Sequence, residues 1–86
     1  MDALDRVQML KNIFVQSKTV QAIISAAEAE AAVYLISNPD EVIFDGEGQI
    51  IDPLYSDIYE RAEKRVREVV AAAKQRQALR KKSLRA

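Results

Sequence analysis

After Pro53 no glycine or proline interrupts the chain to Ala86, and that uninterrupted stretch constrains the fold more than any other feature. Tyr55, Tyr59, Ala62, Val66, Val69 and Ala73 step by four and three residues, the spacing that lays side chains along one face of a helix. Ile58 and Val70 flank this seam. A helix from Leu54 to Lys82 is about 43 Å long at a rise of 1.5 Å per residue. A compact chain of this length has a radius of gyration of only about 12 Å. The last turns must therefore project beyond a monomeric globule or lie against another chain.

Upstream, the pattern predicts two shorter helices. Asp2 and Asp5 sit where carboxylates favour a helix N-terminus, and Leu4, Val7, Leu10, Ile13 and Phe14 recur at helical spacing, so residues 1–16 read as the first helix. Ser17 is placed to cap a second helix through Ser37, with Val20, Ile24, Ala27, Ala31 and Tyr34 on one stripe widened by Ile23 and Leu35. Its many alanines raise helix propensity and permit close approach of a neighbouring backbone. Asn38-Pro39 ends it, because proline disfavours the helical region for the residue before it. Residues 41–52 change texture: Val42-Ile43-Phe44 and Gln49-Ile50-Ile51 bracket a turn that holds both glycines, Gly46 and Gly48. Two β-prone triplets around a glycine-containing turn predict a small β-hairpin, its Ile43, Phe44, Ile50 and Ile51 leaning on the helices or on a partner.

The expected fold is thus mainly α: short, medium and long helices, a hairpin between the second and third, and antiparallel packing of those two helices through alanine-rich faces. Residues 1–73 form one helical domain with the hairpin at 41–52, and residues 74–86 form a basic C-terminal helix extension. Only 29 of the apolar residues are larger than alanine, a thin supply for a core. No cysteine is present to staple it, so completion as a homo-oligomer, coiled-coil fashion, is the expectation. No stretch reaches the ~20 apolar residues that span a bilayer and no signal peptide is recognised, which points to the cytoplasm and away from a membrane.

Net charge is zero, yet residues 1–53 carry nine acids against three bases and residues 54–86 carry ten bases against four acids. No acid follows Glu68, while Lys74, Arg76, Arg80, Lys81, Lys82 and Arg85 crowd the end. Such polarity serves a nucleic-acid contact, an acidic protein partner or head-to-tail association of identical subunits.

Candidate chemistry is sparse. Histidine is absent, which removes the commonest general base and metal ligand. Asp45-Gly46-Glu47-Gly48-Gln49-Ile50 resembles the middle of a calcium-binding EF-hand loop. In that register, however, Ile43 and Leu54 occupy the positions of two principal carboxylate ligands, so a plain acidic turn is the expectation. Glu28 and Glu30 lie two apart on a helix and do not face each other, and Asp57, Glu60 and Glu63 read as a solvated face. Ser17, Ser25, Ser37, Ser56 and Ser83 have no histidine to activate them. A helix-turn-helix reading of residues 17–25 offers one positive charge, Lys18, to phosphates and lacks the usual glycine in the turn.

No enzyme activity, metal or cofactor is therefore expected. The leading expectation is a non-enzymatic protein-protein interaction module, an assembly or adaptor subunit or a small inhibitor of a larger protein. Size and composition resemble those of small phage accessory or virion proteins. Tyr55, Tyr59, Ala62, Val66, Val69 and the hairpin residue Phe44 are the candidate interface. The alternative is a nucleic-acid-associated protein that contacts phosphates without reading sequence through Lys74, Arg76, Arg80, Lys81, Lys82 and Arg85. Those charges surround the helix instead of forming one stripe, and no aromatic residue follows Tyr59 to stack on bases.

Overall fold

The computed structural model describes residues 2–85, with the side chains of residues 82–85 outside the description. Three helices follow in order: α1 (Ala3–Ile13), α2 (Lys18–Ser37) and α3 (Pro53–Arg85). Asp2 caps α1 by accepting the Asp5 N–H at 2.9 Å, and Ser17 caps α2 by accepting the Val20 N–H at 3.2 Å. Between them, the Gln21 amide donates to the carbonyls of Lys11 and Phe14, both at 3.0 Å, and so closes the α1–α2 corner. Asn38 ends α2, its side-chain amide returning to the Tyr34 carbonyl at 3.2 Å.

Cross-helix partners give the directions. Arg6 meets Glu63 near the start of α1, and Phe14 shares a groove with Val70 near its end, so α1 and α3 run parallel. Tyr34 reaches Asp52 at the start of α3 while Ala27 lies beside Ala62, so α2 and α3 run antiparallel. The core lies where the three meet: Ala3 and Val7 from α1, Val20, Ile24, Ala27 and Ala31 from α2, and Ile58, Tyr59, Ala62 and Val66 from α3. Leu4, Leu10, Phe14, Ile23, Tyr34, Tyr55 and Val70 pack around it, half-buried. Ile13, by contrast, is 61% exposed, although Leu10 and Phe14 on either side of it pack against the core.

No β-hairpin forms over residues 41–52; the expected strands are replaced by one isolated antiparallel bridge, Phe44 with Ile50. Two bonds flank it, Ile51 N–H to the Ile43 carbonyl and Asp45 N–H to the Gln49 carbonyl, both at 2.9 Å. In a ladder each of those pairs would exchange a second bond. Here aspartates take both. The Ile43 N–H donates to Asp52 Oδ2 at 3.2 Å, and the Gln49 N–H donates to Asp45 Oδ1 at 2.9 Å. With the return bonds diverted to carboxylates, strand pairing cannot propagate. Gly48, at φ +83°, supplies the left-handed residue that closes the turn. Ile43, Phe44 and Ile51 are all at least half exposed and do not lean on the helices as expected.

α3 leaves the bundle behind. Val66 is its last fully buried residue, and every described side chain from Lys74 to Lys81 is exposed. The molecule accordingly measures 61 × 23 × 18 Å with a radius of gyration of 16.7 Å. One further difference concerns α2, in which an 18-residue stretch has a mean hydropathy of 1.3 and is long and apolar enough, by length and composition alone, to cross a membrane, a property that core helices share. The absence of any such stretch, expected above, does not hold.

Core packing sets a clear contrast between two isoleucines on α2. Ile24 is fully buried and Ile36 is 79% exposed. Ile24→Ala is expected to cost about 2–5 kcal/mol, against about 0.5 kcal/mol or less for Ile36→Ala, measured as the shift in urea unfolding midpoint.

Candidate interaction surface

One buried carboxylate organises the end of the bundle where α2 stops and α3 begins. Asp52 is 3% exposed and stands immediately before Pro53, the N-cap position of α3 followed by a proline in the first turn. Its Oδ1 accepts the Leu54 N–H at 2.9 Å, the Tyr55 N–H at 3.2 Å and the Tyr34 hydroxyl at 2.9 Å. Its Oδ2 accepts the Ile43 N–H at 3.2 Å. The end of α2, the connecting segment and the first turn of α3 therefore converge on one side chain.

These bonds also set its ionisation. Burial alone would raise the Asp52 pKa, but the Tyr34 hydroxyl and the three backbone donors together outweigh it and hold the carboxyl below its ordinary value of 3.8. Burial, and then the bond to Asp52, push the Tyr34 hydroxyl upward, so it remains a donor throughout the ordinary pH range. A second carboxylate, Glu63, joins α1 to α3: its Oε2 accepts from Arg6 Nε at 2.8 Å and from Arg67 at 3.1 Å. Burial opposes its charge, yet the two guanidinium groups prevail and its pKa lies below the ordinary 4.5. Lys11–Glu28, Arg61–Glu30 and Arg61–Asp57 are more exposed pairs, which solvent and salt screen, so they add little to stability.

The convergence on Asp52 positions an apolar surface. Ile43, Phe44 and Ile51 in the connecting segment, Leu54 at the start of α3, and Val33 and Ile36 one helical turn apart on α2 are each 50–79% exposed. Val33 and Leu54 face each other across a groove of ≈ 340 Å³ that also takes in Glu30, Asp57 and Arg61. Asp40, Glu41 and Glu47 stand exposed around this end, and no ion pair engages them among the described residues. Large apolar groups exposed at one end of so small a molecule mark that end as a candidate interaction surface.

The residues singled out from the sequence fall on three different parts of the molecule. Tyr59, Ala62 and Val66 are buried against the chain's own first two helices. Tyr55 and Val69 are half-buried, and Tyr55 packs edge-on to Tyr59 with ring centroids 5.3 Å apart. Phe44 alone of the six is exposed, at 53%. Lys74, Arg76, Arg80 and Lys81 lie exposed on the projecting part of α3, and none forms an ion pair among the described residues. The side chains of Lys82 and Arg85 are outside the described set. Asp45 uses its Oδ1 to accept the Glu47 and Gln49 N–H groups, at 2.8 and 2.9 Å, and thereby holds its own turn. A cleft of ≈ 450 Å³ lies between Leu4, Ile50, Tyr55 and Tyr59, with two carboxylates at its rim, Asp2, which caps α1, and Asp5.

No family model, curated protein or solved structure matches the chain. Its surface chemistry must be read from the molecule itself. Sequence reasoning passed over Asp52 and the α2 residues Val33 and Ile36. Asp52-Pro53 carried a readable cap signal, whereas the exposure of Val33 and Ile36 follows from the side of α2 that α3 covers.

Asp52 and Glu63 carry a pH signature. Both titrate lower in the fold than in the unfolded chain, so the unfolded state binds more protons as pH falls. Their stabilisation is complete above their ordinary values of 3.8 and 4.5 and is lost as pH drops through their folded values. Asp52→Asn is expected to lower the thermal midpoint at neutral pH by several degrees and to flatten its decline in acid; an unchanged acid limb in a melting series would refute this role.

Proposed function

We propose that this protein is a non-enzymatic interaction module that docks onto a protein partner through the apolar end of its bundle. The observation that supports it is the exposure of Val33 and Leu54 along one groove, and of Ile36, Ile43, Phe44 and Ile51 at the same end of the bundle, an end that the bonds of Tyr34, Ile43 and Leu54 to Asp52 hold in place. Aliphatic and aromatic groups gathered at one end, with charge at the rim, have the make-up of an interface centre and its border. The lack of histidine and cysteine in the sequence favours a binding role over a catalytic one. Cytoplasmic residence belongs to the same proposal: Glu28 and Glu30 lie within the apolar run of α2 and pair with Lys11 and Arg61. Phosphate contact through the basic end of α3 is the weaker reading, since its charges ring the helix and no aromatic residue accompanies them.

The test is site-specific photocrosslinking in cells that make the protein, with the reactive side chain placed at Ile36 or Phe44 and, as control, at Thr19 at the far end of α2. Protein adducts of defined mass from positions 36 and 44, absent from 19 and lost in an Ile36→Glu, Phe44→Glu background, are the expected result. Equal labelling from all three positions, or none, would overturn the reading.

A further inference from the structure

We infer that the acidic, apolar end of the bundle receives the basic end of α3 from a second copy of this chain. The inference rests on the docking surface above and names its occupant. Residues 38–52 hold Asp40, Glu41, Asp45, Glu47 and Asp52 without a single base, and Asp40, Glu41 and Glu47 are exposed. Residues 74–86 hold Lys74, Arg76, Arg80, Lys81, Lys82 and Arg85 without a single acid. These two charge sets lie at opposite ends of one continuous helix. From Pro53 to Lys81 the axis advances about 42 Å at 1.5 Å per residue. The screening length in physiological salt is about 8 Å. Within one chain, then, neither end can neutralise the other.

A second copy removes that obstacle. Lys and Arg carry long aliphatic stems, which cover apolar surface while their charged heads reach outward. Laid along the groove beside Val33 and Leu54, such side chains would cover those two apolar groups and bring their charges to Asp40 and Glu41, unpaired among the described residues, while Glu30 and Asp57 stay with Arg61. Leu79, 63% exposed on the projecting segment, adds one apolar contact of its own. Two copies lying side by side and antiparallel make this contact twice and close with two-fold symmetry, whereas a one-way arrangement continues into a chain. The contact is the same in both.

Sedimentation equilibrium of the full chain after nuclease treatment tests it, at about 0.05 M and about 0.5 M salt. The expected result is a mass above the 9.7 kDa monomer in low salt that falls back to it in high salt. Two neutralised variants extend the test: K74Q/R76Q/R80Q/K81Q and D40N/E41Q/E47Q. Each is expected to stay monomeric alone, and an equimolar mixture to form 1:1 pairs, because each variant keeps the surface that the other lacks. A monomeric wild type in low salt, association indifferent to salt, association lost on nuclease treatment, or a mixture that stays monomeric would each overturn the inference. If wild type is monomeric while positions 36 and 44 still crosslink to a different protein, the docking surface stands and only the second copy falls.

Discussion

The buried carboxylate of Asp52 fixes the corner from which the bundle is built. A charged group almost wholly removed from water is costly unless donors surround it, and four do: a phenol from α2, one N–H from the connecting segment and two from the first turn of α3. Those four bonds come from three successive parts of the chain. Satisfying the charge therefore fixes where α2 ends, how residues 38–52 return, and where α3 begins. The antiparallel course of α2 and α3 follows from that corner, and their alanines then allow close contact along it.

What the corner positions is a surface and not a cavity. The core is a narrow column, with Ile24, Val7, Val20 and Val66 as its largest fully buried side chains. Little apolar material remains to wall off a pocket, and the titratable groups that are buried or half-buried are already paired. Asp52 caps a helix, Glu63 ties α1 to α3, and Asp45 shapes a turn. The chemistry left over is apolar contact and charge, arranged at the two ends of an elongated molecule.

Much of this was legible in the sequence. Spacing of three and four placed all three helices, Ser17 announced the start of α2, and the uninterrupted run after Pro53 implied a helix that outgrows its bundle. The hairpin was misread because propensity sees Val42-Ile43-Phe44 and Gln49-Ile50-Ile51 but not the aspartates that intercept their ladder bonds. The candidate interface was read from the α3 seam, and the structure covers Tyr59, Ala62 and Val66 with α1 and α2. A stripe at helical spacing records that a face is covered; it does not record whether a neighbouring helix of the same chain or a separate molecule covers it. Exposed Val33 and Ile36 were invisible for the converse reason, since α2 is apolar on more than one side and only its packing partner decides which side remains open.

The continuity of α3 has a mechanical meaning. One unbroken rod is anchored in the core as far as Val66 and free beyond Ala73, so the bearing of its far end is set by residue count alone. Each residue gained or lost between those points would swivel the tip by about 100° and shift it by about 1.5 Å, leaving the anchored half untouched. Aim, in this molecule, is written in the length of a shaft.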